Sequence, residues 1–188
     1  MPAVRSAVYI TALAVLATGC GADLGVLGGW TPRSGHAVAA GRLAASTKLG
    51  TPANEHGALI GIELESHAEE DVGSSWNAGL MLGYGNGPAA IDGRVGWELY
   101  GEFGTPLRQT VFEHGDLYSG LSFALPIRVG APRHVADTNE STWVLMQRLE
   151  VVPLVRTRLY RDRRTEADVR FELSLGLSVR LRVFSDLL

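Results

Sequence analysis

Glu113, His114 and Ser119 form the one grouping in this 188-residue sequence whose residue types suit nucleophilic catalysis. That chemistry needs a hydroxyl, an imidazole to take its proton and a carboxylate to orient the imidazole. The spacing argues against it. His114 and Ser119 stand five positions apart, and Ser119 falls on the apolar parity of its segment. No catalytic residue is therefore assigned, and no enzyme is expected. The five histidines, His36, His56, His67, His114 and His134, show no metal-ligand spacing. His56 and His67 bracket one extended segment and point to its opposite ends, so they cannot share an ion. Glycine-rich phosphate loops, a Gly-x-Ser-x-Gly elbow and a His-Glu-x-x-His motif are all missing from the sequence, and neither metal nor cofactor is implied.

The remaining reactive side chain is the single cysteine, Cys20, which excludes an intramolecular disulfide. Its position is informative. Met1–Ser6 carries one positive side chain, Arg5, and an apolar run of 13 residues follows from Ala7 to Gly19. A membrane-spanning helix needs about 20, so the run reads as a secretory signal peptide. Its end, Leu16-Ala17-Thr18-Gly19-Cys20, resembles a bacterial lipobox. The resemblance implies cleavage before Cys20 and lipid on its thiol. Ordinary cleavage at nearby small residues, such as after Ala22, is the alternative. Residues 1–19 are thus set aside as a leader, 20–35 as an N-terminal linker, and 36–188 as one folded domain.

Something must shape that domain, and the composition narrows what. Hydrophobic residues make up 46% and charged residues 20%, which excludes a disordered chain. The 23 glycines follow no Gly-X-Y period, and they suit a β architecture with close backbone approaches. A net charge of −3 removes the basic footprint of a nucleic-acid binder.

From about residue 36 the pattern repeats every two residues, the strand period. In Asp168–Val183 every odd position is apolar (Val169, Phe171, Leu173 and onward to Val183), whereas every even one is polar or glycine. Similar alternation marks Trp76–Tyr84, Gly93–Phe103, Leu117–Val129 and Ala58–Leu64. Trp143–Tyr160 keeps one apolar face, but Pro153 predicts a bend or bulge there. His36–Lys48 is alanine-rich and alternates weakly. Seven strands result, with an eighth in Leu24–Trp30 or Leu107–His114. The fold class is all-β: a single antiparallel up-and-down barrel of about eight strands.

Alternation alone does not say which face looks inward. A soluble calycin-like barrel buries its apolar face around an apolar ligand, whereas a membrane barrel turns that face to lipid. Asn77, Gly79, Met81, Gly83 and Gly85 on the second face of one strand make a poor water-facing surface and a good filling for a narrow lumen. Trp76 and Tyr84 share the apolar face eight residues apart, about 26 Å along a strand and roughly 20 Å in height after tilt. Two aromatic girdles are spaced in this way, and Trp97, Phe103 and Trp143 could join them.

On these features the chain resembles small, eight-stranded bacterial outer-membrane β-barrels, over roughly residues 36–184. Ser174-x-Gly176-x-x-Val179-x-Leu181 is also similar to that family's last-strand assembly signal. The resemblance implies an outer-membrane location, membrane lipid as partner, and a structural or interaction role. A lipid-anchored periplasmic carrier of a small apolar ligand is the second reading, and a barrel enzyme acting on lipid the third.

Residues 51–120 hold 11 acids and 2 bases, while 121–188 hold 11 bases and 8 acids. The inward face should carry Glu63, Glu65, Asp92, Glu98, Glu102 and Glu172 against Arg94, Arg148, Arg156, Arg158, Arg170, Arg180 and Arg182. Ions away from bulk water must pair. Ring closure brings early acidic strands to late basic ones, so a luminal charge network is expected.

Overall fold

The computed structural model describes residues 20–32, 35–50, 56–70, 73–87, 93–109, 117–137, 143–161 and 169–187. All their regular structure is strand: β1 (Cys20–Trp30), β2 (Ala37–Gly50), β3 (His56–Glu69), β4 (Gly73–Asn86), β5 (Trp97–Gln109), β6 (Leu117–Ala124), β7 (Ile127–Asp137), β8 (Trp143–Arg161) and β9 (Val169–Leu187). Neighbours in sequence pair antiparallel from β1 to β6, β6 pairs β8, and β9 closes the ring on β1. The result is a closed eight-stranded barrel with β7 as one further strand.

That further strand prolongs β6. Leu117 to Ala124 pair with Arg161 to Leu154, and Ile127 to Val129 pair with Val151 to Leu149, without a change of register. Leu125-Pro126 interrupts what is otherwise one strand. Beyond Val129 the register does shift, next to Gly130, whose φ of 76° favours glycine.

The stagger of the ring fixes its shape. Cys20 pairs with Thr47, and the row continues through Ile60, Leu82, Gly101, Leu121, Thr157 and Leu173. Leu173 then meets β1 again at Trp30, ten residues beyond the start. With ~3.3 Å per residue and eight ~4.8 Å strand spacings, that stagger gives a tilt of about 40°. Such a barrel is narrow enough for side chains to fill.

Residues 20–30, placed in the linker on sequence with Leu24–Trp30 as one of two candidates for an eighth strand, form a wall strand and supply that eighth position of the ring. Its inward face is rich in glycine (Gly21, Gly25, Gly29) and holds Leu27, while Gly28 stands outward, which is why its alternation is weak. Pro153 also departs from expectation. The β8–β9 ladder runs through it from Trp143–Leu187 to Arg161–Val169 in a single register, because a residue whose missing N–H points to the other neighbour leaves this ladder intact.

Candidate functional site

The two faces of every strand carry opposite chemistry. Outward side chains are apolar and exposed: Phe171 at 38%, Leu175 at 57% and Val179 at 49%. From Leu149 to Leu159 the outward positions of β8 cover about 33 Å of strand, or about 25 Å of height at this tilt. The neighbouring inward positions of the same strand hold Arg148, Glu150, Val152, Leu154, Arg156 and Arg158, all buried.

Inside, the ion pairs among the described residues fall into two tiers. The tier nearer Cys20 is centred on Glu98. One of its oxygens receives Lys48 Nζ at 2.9 Å, Arg180 Nη1 at 2.9 Å and Arg182 Nη2 at 3.1 Å. Arg180 Nε also donates to Asp23 at 2.7 Å, and Arg148 Nη2 meets Glu150 at 2.6 Å.

The second tier is centred on Arg158. Its guanidinium joins Glu63, Glu65 at 2.7 Å and Glu102 at 2.8 Å. Arg156 links Glu65 to Glu172, the latter at 3.2 Å, and Arg42 holds the other side of Glu63 at 3.1 Å. Tyr118 and Tyr160 each donate a hydroxyl hydrogen bond of 3.1 Å, to Glu63 and Glu172. His67 Nδ1 lies 3.5 Å from Glu65 and 3.9 Å from Glu172. Arg170 reaches Glu69 at 2.6 Å near the mouth opposite Cys20.

Uncharged inward residues separate the tiers on the four strands that carry both: Ala44 and Ser46 on β2, Tyr100 on β5, Val152 and Leu154 on β8, Gly176 on β9. With Leu59, Met81 and Ala124 most of these build a buried apolar layer. Arg42 Nη2 rests on it, 3.0 Å from Met81 Sδ and 3.3 Å from the Tyr100 hydroxyl. Glycine makes room for the large inward rings. A Cβ on Gly79 would stand 2.2 Å from the Tyr118 hydroxyl, and one on Gly104 2.4 Å from it.

Most residues assigned to the lumen on sequence lie in these tiers: Glu63, Glu65, Glu98, Glu102, Arg148, Arg170, Glu172, Arg180 and Arg182, together with Arg156 and Arg158. Arg94 does not. It is exposed, just ahead of β5 and beyond the wall's enclosed length. Asp92 lies outside the described residues, as do Glu113 and His114 of the catalytic grouping; Ser119 faces outward on β6. Sequence reasoning missed Asp23, Arg42, Lys48, Glu69 and Glu150. The first three sit on β1 and β2, where weak alternation concealed the inward parity. Glu69 lies beyond the Ala58–Leu64 alternation, and Glu150 shares the parity of Arg148, a signal that was present.

The aromatics divide similarly. Tyr84 and Trp97 lie together near the Cys20 end, ring centroids 6.2 Å apart, and Trp76 sits at the other end of β4. Trp30, at the far end of β1 and exposed, joins Trp76 there. Phe103 pairs with Leu80, midway between Trp76 and Tyr84 along β4, so it stands with neither the Tyr84–Trp97 pair nor Trp76, unlike the girdle position expected for it. Trp143 opens β8 opposite Leu187, with its side chain outside the described residues.

Chemically, the site is a filled lumen: crossed charge networks that brace the wall, without a grouping of three or more metal-ligating side chains among the described residues. Comparison with protein-family models, with curated proteins and with solved structures finds no match to this chain.

Proposed function

We propose that the chain is a bacterial outer-membrane β-barrel protein with a structural or interaction role and without catalysis. The observation that carries this reading is the polarity of the wall. Leucines, valines and isoleucines stand exposed around the outside, while arginines and glutamates are paired within. In water, that outer surface far exceeds the few hundred Å² of contiguous apolar patch a soluble monomer tolerates; in a bilayer it matches the ~25 Å lipid-facing band of a membrane barrel.

An apolar-ligand carrier needs its apolar face inside, and here the inward positions hold ion pairs. Surrounding lipid is the partner this surface fits. Residues 1–19 supply the export leader in this reading. Cys20, exposed at the first rung of β1, is the lipidation site, where an attached acyl chain would lie against the apolar wall.

Heat-modifiability tests the proposal. Envelope material that survives a carbonate wash should migrate faster on an SDS gel unboiled than boiled. A single unshifted band, with solubility restored by removing Cys20, overturns it. Metabolic labelling with palmitate, lost in Cys20→Ser, tests the anchor separately.

A further inference from the structure

The ring of hydrogen bonds is thin on both sides at Leu125-Pro126. Leu125 and Pro153 face each other across the β6–β8 register, and the Leu125 N–H donates to the Pro153 carbonyl at 2.9 Å. An antiparallel pair of this kind normally exchanges two bonds. Proline has no N–H, so the return bond to the Leu125 carbonyl cannot form. One residue on, the same defect faces the other neighbour. Gly96 N–H donates to the Pro126 carbonyl at 2.8 Å, and Pro126 has nothing to return. Leu125-Pro126 is thus tied by one bond to each side where its neighbours have two.

What lies around this pair differs from the rest of the wall. Outside is a hollow of about 220 Å³ lined by Phe123, Leu125, Pro153, Val155 and Leu175. Directly inside are Ala124, Val152 and Leu154 of the apolar layer. Arg180 and Arg182 each join Glu98 of β5 to Glu150 of β8 across the lumen, so the notch itself is lined by apolar side chains and flanked by charged ones. In hydrocarbon a carbonyl without a donor is costly, so a second proline at the adjacent position concentrates that cost in one spot.

We propose that the Leu125-Pro126/Pro153 notch is a built-in weak seam, the place where the barrel wall opens first between β6/β7 and β8 and exposes the apolar layer laterally. The opening is a property of the wall and does not depend on which membrane surrounds it.

Amide hydrogen exchange on the full chain in detergent micelles reads this directly. Leu125 and Gly96 should exchange at least about tenfold faster than the amides of Ala58–Ile62, which lie at a similar level on β3. Pro126→Val and Pro153→Val each restore one donor, and each should slow exchange toward the β3 values. A disulfide joining Ala124→Cys to Leu154→Cys in a Cys20→Ser background spans facing residues of one rung and should abolish the difference. The SDS-gel shift confirms that each variant still closes its ring. Rates at the notch within about twofold of those on β3 overturn the proposal, as does fast exchange that persists once the disulfide has formed.

Discussion

Arg158 and Leu159 are adjacent in sequence and answer to opposite surroundings. Arg158 is 1% exposed and touches three carboxylates, while Leu159 is 45% exposed on the outer wall. The same contrast separates Glu65 from Leu64 and Arg180 from Leu181. What it teaches is that alternation assigns residues to two faces without saying which is inside; in this ring the charged face is, and arginine and glutamate from facing walls meet there end to end.

The contrast can be broken from the inside with the largest effect. Arg158→Ala leaves Glu63, Glu65 and Glu102 without their shared cation, and removing one partner of a buried pair costs about 3–5 kcal/mol. Urea titration of the folded, fast-migrating band should show a much lower midpoint, and Arg158→Lys should recover only part of it, since one ammonium cannot reproduce the guanidinium fork. From the outside, Leu175→Arg should destabilise by ~2–4 kcal/mol in bilayers if the wall meets lipid near mid-depth. An unchanged stability in vesicles would show that this face does not meet hydrocarbon.

The steric side of the contrast is smaller. Gly79→Ala places a methyl against the Tyr118 hydroxyl that donates to Glu63, and overpacking of this kind costs about 1–3 kcal/mol. Tyr118→Phe in the same chain should relieve part of that loss. The smallest effect sharpens the division between tiers. Glu98→Gln and Arg158→Ala, separated by the apolar layer, should add within ~0.5 kcal/mol, whereas Glu65→Gln with Arg158→Ala should not. Coupling across the layer as large as that within a tier would show that the lumen holds one network.

Much of this was legible before any coordinates. β3, β4, β5, β6 and β9 put bulky apolar residues on one parity and polar or glycine residues on the other, and that signal survives without knowledge of the partner strands. β1 and β2 were harder because outward Ala39, Gly41 and Ala45 are scarcely more apolar than inward Ala40 and Ala44. That weak contrast hid the inward parity of Asp23, Arg42 and Lys48. The prolines illustrate a different limit. Pro153 leaves the β8–β9 register undisturbed, whereas Pro126, inside the Leu117–Val129 alternation, cuts its strand in two. Which neighbour a missing N–H would have served depends on register, and register is set by closure.

Closure has a consequence in time as well as in space. Asp23 and Arg180 are joined across the final seam though 157 positions apart in the chain, and the whole β1–β9 ladder is of that long-range kind. Contacts so distant form late, after the entropy of an almost complete loop has been met. Until β9 arrives, β1 offers a bare edge and the outer wall offers leucines to any neighbour. Every shorter version of the chain is an open sheet with two adhesive ends, so the last strand completes the molecule in one step and leaves no edge behind.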